Sequence, residues 1–188
     1  NPCDSRIHCI GPIPLLSKGF RLPKITLSGV TIVIIIGIDP GSTHSGICMI
    51  YSGDIKKPNI IRADKITNVE LMRMLSTEWA ANSEIAIEDL VSYVHGRHID
   101  LTQRFIGQII LRAEDLGIPI TLYTRREYGQ WITGGGKLSD ATLRAGLESI
   151  YGASSKKTDP LYKLRGATDK RSAFAIAKYH EFRMSKGG

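Results

Sequence analysis

At 188 residues, 42% of them hydrophobic, the chain is long and apolar enough to bury one sizeable core, which excludes a disordered class. Its strongest apolar run, Val30 to Ile38, is about half the roughly 20 residues that a membrane span requires, and Gly37 and Asp39 end it. The net charge of +7 points to an anionic partner, and nucleic acid is the commonest one for a compact basic domain.

Residues 1–29 carry scattered Pro and Gly without helical or strand periodicity and read as a disordered or non-native N-terminal arm ahead of one domain over 30–188. Cys3 and Cys9 lie in this arm, and Cys48 falls in an apolar run where a small buried thiol is expected. An odd cysteine set without a CxxC pair fits a reducing compartment, hence the cytoplasm. Thr31 to Asp39 reads as a first strand and His44 to Ser52 as a second, joined through Pro40-Gly41-Ser42-Thr43. A third, Asn59 to Ile66, completes an antiparallel meander. Asn68 is the expected N-cap of a helix in which Val69, Leu71, Met72, Leu75 and Trp79 recur at helical spacing.

A strand over Glu84 to Leu90 sets Ile85 and Ile87 on one face and Glu88 on the other. The polar and aromatic stretch Ser92 to His98 reads as a loop. Leu101, Phe105, Ile109, Ile110, Ala113 and Leu116 then line a long helix ending at Gly117. Ile118 to Tyr123 is a fifth strand, Arg125 to Ile132 a short helix, and Gly134-Gly135-Gly136 a hinge or mobile loop. Ser139 caps a helix through Leu143, Leu147 and Ile150. Lys156 to Gly166 is basic and irregular, and an alanine-rich helix suited to close packing on a sheet runs from Thr168 to about Met184. The order βββαβαβα predicts an α/β domain with a mixed five-stranded sheet flanked by helices.

Acids fall at marked places on this frame: Asp39 ends the first strand, Glu88 sits in the fourth, and Asp169 begins the last helix. An unpaired charge at the end of a buried run costs several kcal/mol, so Asp39 needs a cation, a donor cluster or a proton. Phosphodiester cleavage with two divalent cations calls for carboxylates converging on ions about 3.5–4 Å apart. Taken singly, Asp39 is also a common turn residue, Glu88 a polar strand-face residue, and Asp169 a first-turn acid favoured by the helix dipole.

Ile36-Gly37-Ile38-Asp39-Pro40-Gly41-Ser42, then Ile85-Ala86-Ile87-Glu88, then Asp169 four residues before Ala173-Phe174-Ala175-Ile176-Ala177, resemble the successive motifs of RuvC-type Holliday junction resolvases. The strand order resembles the ribonuclease H-like fold of that family, and the likeness covers roughly Ile32 to Tyr179. It implies a homodimeric endonuclease that nicks paired strands of four-way DNA junctions, leaving 5′-phosphate and 3′-hydroxyl ends. It also implies two Mg²⁺ per active site, with Mn²⁺ able to substitute, and Asp39, Glu88 and Asp169 as catalytic metal ligands. Many members carry a further Asp three residues after the acid on the last helix; here that fourth-ligand position is Ser172, a poor Mg²⁺ ligand beside a carboxylate. Asp140 or Asp159 could supply the missing acid, three acids could suffice, or the activity could be weakened.

Tyr93 is a candidate for stacking on an unpaired base, and Arg97, His98 and Arg104 for phosphate contacts beside Glu88. Lys137, Lys156, Lys157, Lys163, Arg165, Lys170 and Arg171 are candidates for the same role around the last helix. Trp79, Met72, Met74 and Phe105 read as core or dimer packing. Ile106, Ile109 and Ile110 suit either a subunit contact or helix-to-sheet packing, and His180 reads as a helix-surface residue. The motifs leave other functions open: a broader branched-DNA or flap endonuclease of the same fold, an actin-like ATP-binding phosphotransferase, and a DNA-binding module without catalysis, for which Ser172 is the hint.

Overall fold

Runs of β-branched residues at the centre of the sequence form the centre of the sheet. The computed structural model describes residues 25–27, 30–77, 83–90 and 97–187, with side chains from residue 33 onward. Strand β1 (Ile25–Leu27) pairs antiparallel with β2 (Val30–Ile32), so a strand pairing joins the two sides of the boundary expected between arm and domain. The expected first strand is interrupted at Val33, and β3 (Ile34–Asp39) continues as a separate strand. It pairs antiparallel with β4 (His44–Tyr51), which pairs antiparallel with β5 (Ile60–Thr67). On its other side β3 pairs parallel with β6 (Ser83–Asp89), and β6 parallel with β7 (Ile120–Thr124). The order β5-β4-β3-β6-β7 is the expected mixed five-stranded sheet.

Strand alternation gives the sheet two apolar faces. Ile36, Ile38, Ile47, Ile66, Ile85 and Ile87 point to the side covered by α1 (Asn68–Thr77) and α2 (Arg97–Leu116), where Met74, Phe105, Ile106 and Ile109 fill the core. Ile35, Cys48, Ile50, Ala63 and Ala86 face the opposite side, covered by α3 (Arg125–Thr133), α4 (Asp140–Tyr151) and α5 (Thr168–Lys186). Helix α2 begins at Arg97, so Arg97 and His98 belong to its first turn and not to a loop. The α1 start also differs from expectation: the Thr67 hydroxyl accepts from the Glu70 N–H, and the Asn68 amide is committed elsewhere.

Helix α5 determines how tightly the site is built. It is buried all round from Ser172 to Glu181, as a central helix pressed on a sheet should be. Gly37 and Gly46 make its approach feasible. A Cβ on Gly37 would lie 1.9 Å from the Ala173 carbonyl oxygen, and one on Gly46 2.4 Å from the Asp169 carbonyl oxygen. Backbone thus lies directly on backbone at both crossings, and Asp169 is carried over β4. Farther along, the fully buried Lys178 donates to the carbonyls of Asp54 and Lys57 and pairs with Glu181, whose other oxygen accepts from the Gly53 N–H. His180 is buried, contrary to its reading as a surface residue: its ring bridges the Tyr123 hydroxyl at 2.9 Å and Glu84 at 3.1 Å. An i, i+3 stripe cannot reveal this, because a helix buried on all sides has no polar face.

Candidate active site

Sheet register assembles the site. Asp39 lies opposite Gly46, and Gly46 opposite Lys65, while Ile38 pairs with Ile87 and so sets Glu88 beside Asp39. Paired residues share a face, so Glu88, Asp39 and Lys65 all project toward α5, with Gly46 leaving a gap between the last two. Asp169 overlies that gap. Asp39, Glu88 and Asp169 are therefore brought to one end of one sheet face by three different elements. Ser172, buried one turn along α5, lies against Asp39.

The charges are unevenly compensated. Burial, then repulsion from Glu88 and Asp169, pushes the Asp39 carboxyl up to about 7, against the smaller opposing effects of Arg125 and Ser172. Glu88 is buried too, and burial raises it, although the Tyr128 hydroxyl donates to its Oε2 at 2.6 Å. Tyr128 is itself fully buried on α3 and held protonated by its surroundings and by Glu88. Asp169 behaves oppositely: burial pulls it up, but hydrogen bonds from Lys65 and Thr168 outweigh this and hold it below the usual carboxylate range. The Lys65 Nζ is 2.6 Å from Asp169 Oδ2, and the Lys65 ammonium is strengthened in return.

A cleft of about 280 Å³ opens over Asp39, Lys65 and Asp169, with Pro40 to His44 as its other wall. The wall is fixed by Asn68, whose amide donates to the Gly41 carbonyl and accepts from Ser45 Oγ, both at 2.9 Å, while the Asn68 N–H donates to the Thr43 carbonyl. Across Glu88, Arg125 approaches both Glu88 and Asp39 and pairs with Asp140 at 2.5 Å. Asp140 thus borders the site as the partner of Arg125. Asp159 does not reach the site: its carboxylate accepts from the Ser155 and Lys156 N–H groups and closes its own loop.

The expected DNA-contacting residues are dispersed. Tyr93 and Trp79 lie outside the described residues, as do Cys3 and Cys9. Arg97, His98 and Arg104 are exposed on α2, and Lys137, Lys156 and Lys157 on loops. Lys170 lines an open cleft of about 520 Å³ with Arg62, Tyr162, Lys163 and Arg165, next to Asp169 in the chain. Within it the Lys163 Nζ donates to the Ile60 and Ile61 carbonyls, and Lys170 Nζ to the Lys163 carbonyl. Arg171 lies farther round α5, beside Asp140, Arg144 and Glu148.

Lys65, Tyr128 and Arg125 were missed by sequence reasoning. Lys65 did leave a signal: it is two residues from the buried Ala63, and so a lysine on the strand face that elsewhere packs against α5. Tyr128 and Arg125 left none, because only the path of the chain after β7 brings α3 back over Glu88.

An all-oxygen donor set of this kind suits a hard divalent cation, and the raised Asp39 registers the charge that such an ion would offset. Among the described residues no three His, Cys, Asp or Glu side chains already form an ion cage. The Asp169 carboxylate is instead paired with Lys65. The residues fit an ion held by Asp39 and Glu88.

This is a ribonuclease H-like α/β fold with carboxylates gathered at the end of its central strands. Two structures of Thermus thermophilus RuvC share it: the one in complex with a Holliday junction substrate has a TM-score of 0.65 at 19% identity, covering 82% of this chain and 96% of that one. The other reaches 0.61 at 18% identity, covering 82% and 97%. In sequence the chain is similar to the crossover junction endodeoxyribonuclease RuvC of Bifidobacterium adolescentis, 28% identical over 80% of each chain. It is likewise similar to that of Corynebacterium diphtheriae, 25% identical over 79% of this chain and 93% of the relative. No family model matches. The resemblance to RuvC-type resolvases is thus borne out by relatives and by fold along four-fifths of the chain.

Proposed function

We propose that the protein is a divalent-metal-dependent endodeoxyribonuclease that resolves four-way DNA junctions by paired nicks, acting as a homodimer in the bacterial cytoplasm. The observation that carries this reading is the convergence of Asp39, Glu88 and Asp169, in the order that the resemblance implies, on one end of the sheet. Asp39 and Glu88 would hold Mg²⁺, or Mn²⁺ in its place. When bound, such an ion makes water a competent nucleophile at neutral pH and offsets charge on the phosphate.

The chain's own residues do the rest. Tyr128 holds Glu88 in one orientation, Asn68 and Ser45 fix the loop beside Asp39, and the cleft at Lys170, Lys163 and Arg165 offers positive charge to the phosphates flanking the cut. The outward side of α2, where Leu101 and Leu111 are exposed, suits the subunit contact that the resemblance implies. Ile106 and Ile109 are not available for it, being buried against the sheet. The resemblance implies two ions per site; the place of Lys65 argues for fewer.

The test is side-by-side cleavage of labelled four-way junction, flap and linear duplex, with Mg²⁺ and with EDTA. Paired nicks in the junction, abolished by EDTA and by Asp39→Asn, are expected. Release of single-strand arms from the flap at an equal or higher rate would replace this reading with the broader branched-DNA nuclease. Cleavage unaffected by Asp39→Asn would refute the site.

A further inference from the structure

We propose that Lys65 is the second positive charge of the catalytic centre, so that the site takes one divalent ion where the resemblance implies two. The inference rests on the nuclease reading above. Lys65 is placed by register: it occupies the same cross-strand row as Asp39, separated by Gly46, so its Cα lies two strand spacings away, about 9–10 Å, on the same face. Asp169 lies over the gap, because Gly46 has no side chain and could accept none. The half-exposed ammonium group therefore lines the cleft and reaches Asp169 Oδ2 at 2.6 Å, and Asp39 also acts on its charge.

Ser172 supplies the complementary half of the argument. It stands where an acid would join Asp169 to bring in a further ion, and it presents a buried hydroxyl to Asp39. A hydroxyl adds no charge, so the anionic groups remain Asp39, Glu88 and Asp169, and Lys65 already neutralises the last. What is left is the Asp39–Glu88 pair, which Arg125 offsets only in part because it is itself paired with Asp140, and which suits a single ion. A lysine in place of a cation is electrostatically coherent in this cleft, since an ammonium group supplies both charge and directed N–H donors to a phosphate oxygen.

In the reaction a water oxygen bonds to phosphorus and the bond from phosphorus to the leaving oxygen breaks. The water gives up a proton to solvent as it adds, and the leaving oxygen keeps the electron pair and takes a proton from solvent. Lys65 transfers no proton. It donates hydrogen bonds to a non-bridging oxygen, whose charge grows as the water adds. Asp169 is then the residue that aims Lys65.

The test combines ion counting with cleavage. Calorimetric titration of the DNA-free protein with Mn²⁺ should give one ion per chain for the wild type and for Lys65→Met, and two for the double variant Lys65→Met/Ser172→Asp. Lys65→Met should cut a four-way junction about 100-fold more slowly at saturating Mn²⁺ while binding it normally, and Lys65→Arg should recover most of the rate. Two ions per wild-type chain, or wild-type cleavage by Lys65→Met, would overturn the proposal. Failure of the wild type to cut any DNA would refute the nuclease reading itself and, with it, a catalytic Lys65. One ion per chain with full cutting by Lys65→Met would overturn the proposal and leave the nuclease reading in place.

Discussion

Replacing Asp39 by Asn should make the metal-free protein more stable, by an amount that grows from about pH 4 and is complete above about pH 7. Burial and the charges of Glu88 and Asp169 raise the Asp39 carboxyl from 3.8 to about 7 in the folded chain. The folded state therefore holds this proton more tightly than the unfolded state. No penalty exists below about pH 4, where both states are protonated; it accumulates between pH 4 and 7 and is complete above 7. About 3 pKa units at about 1.4 kcal/mol each set an upper limit near 4 kcal/mol. Because Asp39 is only half-buried and opens on the cleft, about 1–2 kcal/mol is the expected gain at pH 8, or roughly 2–8 °C in Tm for a chain of this size. Thermal unfolding in EDTA at pH 4, 6 and 8 measures it directly. Added Mg²⁺ should then raise the Tm of the wild type and not that of Asp39→Asn. A variant less stable than wild type at pH 8, or an offset that does not change with pH, would show that Asp39 carries no uncompensated charge.

Other perturbations probe the supports of the site. Tyr128→Phe leaves the buried Glu88 without its short hydrogen bond and should cost about 1–3 kcal/mol in urea unfolding, together with a loss of ion affinity in calorimetry. Gly46→Ala forces α5 away from β4 at Asp169 and should destabilise by about 1–3 kcal/mol; a crystal structure with Asp169 unmoved would contradict the close-approach argument. Lys178→Met strands Glu181 in the core and should cost about 3–5 kcal/mol by chemical denaturation at pH 7, whereas the double change Lys178→Met/Glu181→Gln should recover part of it.

Local pattern carried much of this fold. The β-branched run into Asp39, the alternation around Glu88, the Ser139 cap and the ends of the long helices can each be read from neighbours in sequence, because strands and helices impose periods of 2 and 3.6 on what they bury. The order of Asp39, Glu88 and Asp169 was legible for the same reason, each marking the end or the polar face of a recognisable element. Errors arose where a residue's role depends on a distant partner. Asn68 resembled a cap and instead clamps the loop beside Asp39; His180 resembled a surface residue and instead joins Tyr123 to Glu84.

What only the tertiary structure decided is which charges meet. Lys65 reaches Asp169 because Asp39, Gly46 and Lys65 share one row across three strands, a fact of register that no single strand contains. Tyr128 reaches Glu88 because the chain after β7 folds back over the sheet, which brings residues 40 positions apart to 2.6 Å. The sequence by itself determined that acids would end the central strands. Long-range register and the crossing of α5 over Gly37 and Gly46 determined how those acids are compensated, since electrostatic environment is a property of neighbours in space.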